Sequence, residues 1–296
     1  MSETRICTDC PRKCAVPRGS GFCGMGDTVR IARAAPHYGE EPCISGTRGS
    51  GTVFFSGCNL RCVFCQNHDI STGRAGMDVS PARLCEIFLE LQAQGVHNVS
   101  IVTGSHYVRQ IASALREAKL TVPVVWNSSG YDSAEALREL EGLVQVYMPD
   151  LKYLSAGIAG KYSAAPDYPS VAVNAIREMY RQVGPYVLDE NGILTRGVLI
   201  RHLILPGELD NTFDVIDYVA EAYPGEQVLF SLMSQFTPTA HCPEALQRVL
   251  TQEEYDRCES YLSLSGIESG FFQERSAAGT EMIPDFDLTG VRKTDA

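Results

Sequence analysis

GCNLRCVFCQN, residues 57–67, places three cysteines within eight positions, at Cys58, Cys62 and Cys65. An odd number of thiols does not build a disulfide framework, and three are one short of a closed four-cysteine metal site. Protein [4Fe-4S] clusters are usually held by four thiolates, so three thiolates leave one iron with an open position. Metal centres bind substrates at open positions. The spacing therefore indicates a cluster that binds a further molecule, with a zinc loop or three incidental thiols as the alternatives.

The rest of the composition is that of an ordinary globular protein. The chain has 296 residues, of which 44% are hydrophobic and 21% are charged. This suffices for one large α/β domain or two small domains. The net charge is -11 and no long basic run occurs, so we expect no nucleic-acid surface. No apolar stretch reaches the roughly 18 residues of a transmembrane helix, and we expect no membrane insertion.

Cysteine usage indicates the compartment. The first residues, MSETRICTDCPRKC, lack the apolar segment of a secretory signal. We therefore expect a cytoplasmic protein, whose cysteines serve metals or catalysis more often than disulfides. Of the 11 cysteines, eight lie within the first 65 residues. This clustering is the strongest compositional feature of the chain.

From residue 52 onward, short β-rich runs alternate with longer amphipathic stretches. The runs predict strands at TVFFSG (52–57), NVSIVTG (98–104), VPVVWN (122–127), VQVYMPD (144–150), VLIRHLIL (198–205) and VLFSLMSQF (228–236). Helices are predicted at 80–95, 106–118, 133–142, 170–184, 211–223 and 251–264. This alternation indicates βαβ units and a parallel sheet, and six strands indicate an α/β fold with a partial (β/α)6 TIM-like barrel. A doubly wound sheet without a barrel is the alternative.

The predicted domains are an N-terminal extension, residues 1–50, and a barrel domain, residues 51–296. The extension is rich in Cys, Gly, Pro and Arg and shows little apolar periodicity. We interpret it as an extended segment that a metal holds in place. The loop at residues 58–65 follows directly after the first predicted strand, at the sheet edge where ligands of such folds bind.

The stretch CTDCPRKCAVPRGSGFCG predicts a second metal site in the extension. Its thiols have C-x2-C-x3-C-x8-C spacing, at Cys7, Cys10, Cys14 and Cys23. Four thiols among Pro and Gly turns can close a tetrahedral zinc site or hold an iron–sulfur cluster, and spacing does not decide between them. Cys43 is a spare candidate ligand. The remaining cysteines lie in or beside helical patterns and are expected to be buried small apolar side chains: Cys85, Cys242 and Cys258.

The motif CNLRCVFC, with the aromatic Phe64 before its third cysteine, resembles the radical S-adenosylmethionine (radical SAM) superfamily. The resemblance extends over most of the chain. It is greatest to the activating enzymes of glycyl-radical enzymes, and within them to the pyruvate formate-lyase activating-enzyme-like group called PflX. The stretches that carry it are EEPCISGTRGSGTVFFSGCNLRCVFCQN (40–67), SSGY (128–131), PDLKY (149–153), APDYP (165–169), RHLILPG (201–207) and LMSQF (232–236).

The resemblance implies a partial barrel of the radical SAM type and an oxidoreductase activity. Cys58, Cys62 and Cys65 would hold a [4Fe-4S] cluster whose open iron chelates the amino and carboxylate groups of S-adenosylmethionine (SAM). An electron from the cluster would cleave the S–C5′ bond, and the 5′-deoxyadenosyl radical would abstract hydrogen from a substrate. The substrate would be a protein glycine, a small molecule or a peptide. An electron donor such as flavodoxin or ferredoxin would be required.

The resemblance also implies which residues bind the cofactor. Phe64 flanks the cluster, and short polar side chains at a strand end suit the cofactor's ribose and methionine part: Asn127, Ser128 and Ser129. From the residues alone, these three could equally form a strand-to-helix turn. Asp150 and Lys152 would lie near the methionine end, or form a surface salt bridge.

Arg201 would also reach the cofactor, and it lies in a run too apolar to host an unpaired charge. Its neighbour His202 points to the opposite face of the strand, and we interpret it as a hydrogen-bonded core histidine. Gln235 ends the sixth predicted strand, where it could meet a substrate.

The chain departs from the superfamily after the second predicted strand, where a Gly-Gly-Glu segment is frequent. Here the sequence is Thr103-Gly104-Ser105-His106. Gly104 would allow close backbone approach to the cofactor. Ser105 or His106 would replace the missing carboxylate, or the contact comes from elsewhere.

Two other functional classes stay open on the sequence. A non-catalytic iron–sulfur or zinc protein that carries electrons or binds a partner would need a fourth ligand, for example Cys43. A methyl or sulfur transfer enzyme on the same fold is the other class, although no C-terminal cysteine cluster supports sulfur transfer.

Overall fold

The computed structural model describes residues 5–274 and 283–293. Within these ranges the strands are β1 (Val29–His37), β2 (Ser50–Phe55), β3 (Met77–Val79), β4 (Val99–Val102), β5 (Val124–Ser128), β6 (Val146–Pro149), β7 (Val187–Leu188), β8 (Leu194–Leu203), β9 (Leu229–Met233) and β10 (Gly270–Phe272). The helices are α1 (Pro42–Ser45), α2 (His68–Ser71), α3 (Pro81–Ala93), α4 (Val108–Ala118), α5 (Ala134–Leu137), α6 (Ala156–Ser163), α7 (Tyr168–Val183), α8 (Leu209–Ala222) and α9 (Gln252–Leu264).

The predicted α/β fold with a mostly parallel open sheet is confirmed. The sheet has the order β10-β9-β8-β6-β5-β4-β2-β1-β3, and β7 pairs with β8. The six predicted strands pair in parallel with one another, in the order β9-β8-β6-β5-β4-β2. Every residue of β2, β4, β5 and β6 is buried. Strands covered on both faces read as continuous apolar runs, which explains why the sequence reveals them.

One apolar layer lies on each face of the sheet. The larger core joins the sheet to the surrounding helices and includes Phe88, Trp126 and Ile176. A smaller core includes Cys43, Val125, Val146, Met148 and Leu199. Residues that alternate along β5, Val125 and Trp126, point into different cores, as the two-residue repeat of a strand requires.

Side-chain caps define the starts of several helices. Ser80 accepts a hydrogen bond from the backbone N–H of Arg83 at the start of α3, and Ser155 does the same for Ile158 at α6. Thr251 and Glu254 form a reciprocal capping box at α9. Each cap satisfies an N–H group that has no partner within its helix.

The sequence analysis missed the strands at the β1 edge of the sheet. β1 pairs antiparallel with β2 from Ile31–Phe55 to His37–Ser50, and β3 pairs antiparallel with β1. Residues 29–37 are thus a strand of the sheet and not part of an extended metal-held segment. The sequence of β1 does not form an apolar run, because half-buried positions, including Arg30 and Arg33, alternate with small alanines. The division of the chain at residue 50 stays a prediction.

The C-terminal segment runs along the same edge. Leu288 donates its backbone N–H to Ala32, and Ala34 donates to Thr289. A Cβ on Gly290 would lie 1.9 Å from the carbonyl oxygen of Ala34, so this close approach requires glycine. In the part of the chain described, no helix is long and apolar enough to cross a membrane.

The prediction that His202 is a hydrogen-bonded core histidine is confirmed. Its Nδ1–H donates to the carbonyl of Leu151 at 2.7 Å, and its Nε2 lies 3.0 Å from Oγ1 of Thr212. The carbonyl can only accept, so Nδ1 carries the proton. Because burial lowers the pKa of His202, the ring is neutral at pH 7 and Nε2 accepts from the threonine hydroxyl. Burial lowers the pKa of His202 to about 4, and burial lowers the pKa of His106 to about 4 as well.

These two histidines predict a loss of stability in mild acid. The unfolded chain binds protons near pH 6.5, whereas the folded chain binds them only near pH 4. Stability is therefore fully present above pH 6.5 and falls as the pH drops toward 4, by about 1.4 kcal/mol per pH unit and histidine. Urea unfolding at about pH 7 and about pH 5 measures this slope. His202→Gln should reduce the slope by about half; an unchanged slope would contradict the assignment.

Candidate active site

A cavity of about 290 Å³ opens at the C-terminal ends of the parallel strands. Its lining includes side chains that follow β2, β5 and β6 or lie near the end of β8: Cys58, Cys62, Cys65, Asn127, Ser128, Ser129, Asp150, Lys152 and Arg201. These are residues that the sequence analysis proposed for the cluster and the cofactor. Phe64 and Gln235 also line this cavity.

The three-cysteine loop is fixed by backbone contacts. Gly57, after β2, has φ +83°, and a Cβ there would lie 2.3 Å from Met25, so the turn requires glycine. The N–H of Gly57 donates to the carbonyl of Ile70, and that of Cys65 donates to the carbonyl of Cys62. The loop is thereby folded back so that its thiols face the cavity.

Hydrogen bonds also reach the thiols. The N–H of Leu60 lies 3.4 Å from Sγ of Cys58, and the hydroxyl of Ser163 donates to Sγ of Cys62 at 3.0 Å. Burial raises the pKa of Cys58, Cys62 and Cys65 because an apolar environment disfavours the thiolate. A positive metal centre would reverse this preference, since coordination deprotonates a thiol.

The donor set fits an iron–sulfur cluster. Soft thiolate ligands select iron–sulfur clusters, and three cysteines of one loop line this cavity. The other eight cysteines are not on the cavity lining. Cys43, the spare candidate ligand, is 3% exposed and packs in the smaller core.

The hydroxyl of Ser163 should tune this cluster. Hydrogen bonds to cluster thiolates stabilise the more negative, reduced state and so raise the reduction potential. We therefore expect Ser163→Ala to lower the potential of the catalytic cluster, measured by EPR-monitored redox titration. Ser170→Ala is the control, because that hydroxyl bonds the backbone of Asp167. A potential equal to that of wild type would show that the Ser163 contact does not influence the cluster.

An ionic network forms one wall of the cavity. Arg201 donates to Asp150 at 2.9 Å, to Glu40 at 3.1 Å and to Oδ1 of Asn127 at 2.8 Å. Lys152 donates to the other oxygen of Asp150 at 2.5 Å. The apolar run around Arg201 thus hosts a charge that is fully paired, as the sequence analysis required.

The charge states of this network follow from the contacts. Burial alone would raise the pKa of Asp150, but Arg201 and Lys152 outweigh it and the pKa is lowered. Burial alone would lower the pKa of Lys152, but Asp150 and Cys62 outweigh it and the pKa is raised. At neutral pH all three groups are ionised, and the ammonium of Lys152 lies within electrostatic reach of the sulfur of Cys62.

The sequence analysis missed Glu40. Its Oε2 pairs with Arg201, and its Oε1 accepts from the amide of Asn127 at 2.9 Å. The adjacent Glu41 is 5% exposed and accepts from the hydroxyl of Ser231. Burial raises the pKa of Glu41. The only signal in the sequence was the pair of glutamates that opens the stretch 40–67.

The structure does not place Gly104 or Ser105 on the cavity lining. Thr103 lines the cavity, and its φ of +62° turns the chain away from it. A Cβ on Gly104 would lie 2.7 Å from Ile111 and 2.8 Å from Trp126, so Gly104 faces the core. Ser105 is 3% exposed. The expected close approach to the cofactor at Gly104 is therefore not supported.

His106, the other expected replacement for the carboxylate, also points elsewhere. It is 1% exposed, and its Nε2–H donates to the carbonyl of Ser56 at 2.8 Å. The carboxylates that the described residues place on the cavity lining are those of Glu40 and Asp150.

The serines after β5 have different environments. The hydroxyl of Ser128 donates to the buried Asp132 and accepts from the N–H of Gly130, which is the geometry of the turn that we kept as an alternative. The Tyr168 hydroxyl is within hydrogen-bond distance of the backbone carbonyls of Ser129 and Asp150. The ends of β5 and β6 are thus tied together beneath the cavity.

Comparison with known proteins identifies the family. The model of the radical SAM superfamily matches residues 52–219. The chain belongs to the radical SAM superfamily. Its cofactors are accordingly a [4Fe-4S] cluster and SAM, and the residues that line the cavity fit both.

The individual proteins that the chain resembles have low sequence identity to it. "Uncharacterized protein MJ0674" of Methanocaldococcus jannaschii is 28% identical over 267 residues, which cover 85% of this chain and 72% of that protein. The structure of Streptococcus suis SuiB bound to S-adenosylmethionine is 13% identical, with a TM-score of 0.48 over 74% of this chain. The match spans about half of SuiB, 48% of its length. A domain of pyruvate-formate lyase-activating enzyme from Bacteroides vulgatus is 13% identical, with a TM-score of 0.39 over 66% of this chain and 91% of that domain.

Proposed function

We propose that this radical SAM enzyme is an activating enzyme, which abstracts a hydrogen atom from a glycine of a partner protein. The single observation that carries the chemistry is that Cys58, Cys62 and Cys65 line the same cavity as the ionic network around Arg201. The glycine substrate is supported by the sequence resemblance to activating enzymes, carried by stretches such as PDLKY and RHLILPG.

The protein's own groups bind and orient. When bound, the cluster and SAM together supply one electron and a 5′-deoxyadenosyl radical that removes hydrogen from the substrate. Cys58, Cys62 and Cys65 hold the cluster. Glu40 and Asp150 offer carboxylates to an ammonium group, and Lys152 and Arg201 offer charges to a carboxylate. The cavity therefore contains both negatively and positively charged side chains, which suits the zwitterionic amino acid end of SAM.

The remaining lining suits the rest of the cofactor. Asn127 and Ser129 present polar groups to ribose hydroxyls. Phe64 packs edge-on against Phe236 at 6.0 Å between ring centroids, and both rings line the cavity. Apolar walls exclude water, which protects a radical from side reactions. The individual roles of these residues are part of the proposal.

The main competing function is a non-catalytic electron carrier. That function needs a fully ligated cluster, and its strongest candidate for a fourth thiolate, Cys43, packs in the smaller core and is not on the lining. The open position therefore favours the enzyme. A low-potential donor such as flavodoxin or ferredoxin, and a cytoplasmic location, complete the proposal.

Isotope transfer tests the substrate. The protein is reconstituted anaerobically with iron and sulfide, reduced, and mixed with SAM and pyruvate formate-lyase whose glycines carry deuterium at the α-carbon. We expect 5′-deoxyadenosine that contains deuterium, together with a glycyl radical signal by EPR. Formation of 5′-deoxyadenosine without deuterium or glycyl radical would refute this protein as the substrate and favour a small molecule or peptide. A loaded, reduced cluster that leaves SAM intact would favour the electron carrier.

A further inference from the structure

Residues 5–27, here called the N-terminal knot, form a small folded unit around four free thiols. The N–H of Cys7 donates to the carbonyl of Val16, and the N–H of Ala15 donates back to that of Cys7. Lys13 and Ala15 have positive φ angles of 40° and 54°, a conformation that is costly for residues other than glycine. Strained turns of this kind persist only where surrounding interactions hold them.

A buried ion pair frames the knot. The side chains of Asp9 and Arg18 are 2% and 1% exposed, and they lie 3.5 Å apart. Arg5 donates to both oxygens of Asp9, and Arg109 of α4 lies 3.4 Å from the same carboxylate. Arg18 also points Nη1 at Sγ of Cys7, at 3.7 Å. The knot thus has a built polar frame next to its thiols but little apolar core.

Backbone contacts bring the segments that carry the four thiols together. The N–H of Lys13 donates to the carbonyl of Cys10, and the N–H of Gly24, next to Cys23, donates to the carbonyl of Gly21. A Cβ on Gly21 would lie 3.2 Å from Sγ of Cys14, and the N–H of Phe22 points at the same sulfur, at 3.4 Å. Four thiols held in one small unit are the ligand set of a zinc site or of an iron–sulfur cluster.

The knot docks directly on the catalytic loop. Arg12, between Cys10 and Cys14, donates to the carbonyl of Asn59 at 2.8 Å and to that of Ala164 at 2.6 Å. Asn59 is adjacent to the cluster ligand Cys58, and Ala164 follows the Ser163 that bonds Cys62.

An aromatic contact strengthens this docking. Phe22 of the knot lies between two guanidinium groups, 3.9 Å from Arg12 and 4.6 Å from Arg61 of the catalytic loop. Arg61 also donates to the carbonyl of Phe22. The thiol sets of the knot and of the catalytic loop therefore belong to segments in contact.

The knot is exposed on one side only. Cys7 and Cys10 are buried, whereas Cys14 and Cys23 are partly exposed. None of the four lines the cavity, so a metal held here would not ligate a substrate in the active site. A redox centre with one edge at the surface and the other against the catalytic loop has the arrangement of an electron relay.

We propose that Cys7, Cys10, Cys14 and Cys23 hold a second iron–sulfur cluster, which passes electrons from a low-potential protein donor to the catalytic cluster. The donor loses one electron, the second cluster accepts it and passes it on, and the cleaved SAM takes it up, with no proton or leaving group moved in the relay. The proposed relay requires a catalytic cluster to receive the electron. The proposed metal site in the knot can form without that cluster.

Metal analysis tests the site. Wild type should carry about eight irons and eight sulfides, and the variant Cys58→Ala/Cys62→Ala/Cys65→Ala should keep about four of each. The variant Cys14→Ser/Cys23→Ser should also carry about four irons, while the control Cys85→Ala keeps the wild-type content. Zinc in place of the second cluster, or full iron in Cys14→Ser/Cys23→Ser, would overturn the proposal. The triple variant does not cleave SAM, so this result is independent of the proposed reaction.

The relay is tested by comparing two reductants. For each protein we would measure the ratio of 5′-deoxyadenosine formation with reduced flavodoxin to that with dithionite, a small reductant that can reach the catalytic cluster directly. Cys14→Ser/Cys23→Ser should lower this ratio by about tenfold relative to Cys85→Ala, the lower end of the loss seen when partners around a metal centre are removed. An equal ratio in the two variants would assign the second cluster a purely structural role and refute the relay.

Discussion

Replacing Cys62 with alanine is expected to abolish the formation of 5′-deoxyadenosine in a protein that still folds. Cys62 is one of the three cysteines that line the cavity in the described structure, and we propose that these three hold the cluster, so its loss would leave two protein ligands. No neighbouring cysteine can substitute, because Cys43 packs in the smaller core and Cys242 is not on the lining. The rate should fall to the background of protein without iron.

The matched control for this prediction is Cys85→Ala. Cys85 is a buried thiol of α3 that packs in the larger core, away from the cavity. Both variants lose one sulfur atom, so a nonspecific effect of removing a thiol would appear in both. Chromatography of 5′-deoxyadenosine and methionine after anaerobic reconstitution gives the rates, and circular dichroism checks the fold. Activity in Cys62→Ala near that of Cys85→Ala would eliminate the three-thiolate mechanism.

Six of the parallel strands were predictable from the sequence, because β2, β4, β5 and β6 are buried throughout, β8 and β9 are mostly buried, and such strands form apolar runs. β1 and β10 were not. β1 is antiparallel and carries half-buried positions, including Arg33, between its buried residues. β10 is only three residues long and begins with Gly270, whose φ of +153° places it against the backbone of Phe230. Neither strand has the length or continuity that periodicity requires.

Some residues of the candidate site could be predicted from the sequence, and others could not. Charged and polar residues at the ends of buried strands, such as Asp150 and Arg201, were visible because an apolar run rarely ends in a charge without a reason. Glu40 was not visible, because it lies in a polar loop 161 residues from its partner Arg201. The turn at Thr103 was also not visible, since its positive φ is unusual for threonine and nothing in its type signals it.

Replacing Arg201 with leucine should be among the most destabilising single changes at the site. Among the described residues, the guanidinium is the only group that pairs with both Asp150 and Glu40, and all three side chains are 11–15% exposed. Removing one member of a buried ionic group leaves the others uncompensated, at a cost of about 3 to 5 kcal/mol. Of the contacts within the described residues, Glu40 would keep the amide of Asn127, and Asp150 would keep Lys152. SAM binding should weaken in parallel.

Arg116→Leu is the control for this change. Arg116 pairs with Glu139 at 3.6 Å, and the two side chains are 55% and 51% exposed. Exposed pairs are screened by water and contribute little, so the free energy of unfolding should hardly change. Urea unfolding at neutral pH measures both variants, and calorimetry measures SAM binding. If Arg201→Leu were as stable as Arg116→Leu, the network would not be a buried ionic group.

The pH dependence separates loss of charge pairing from loss of packing in Arg201→Leu. In wild type the pKa of Asp150 is lowered, so its contribution is present above its ordinary value of 3.8 and is lost only as the pH falls below it. Without Arg201, burial is less opposed and the folded-state pKa of Asp150 should rise. Protonation then removes the uncompensated charge of Asp150, so the stability deficit should shrink as the pH falls from 7 toward 5. A deficit that is constant over this range would assign the loss to packing of the arginine side chain instead of its charge.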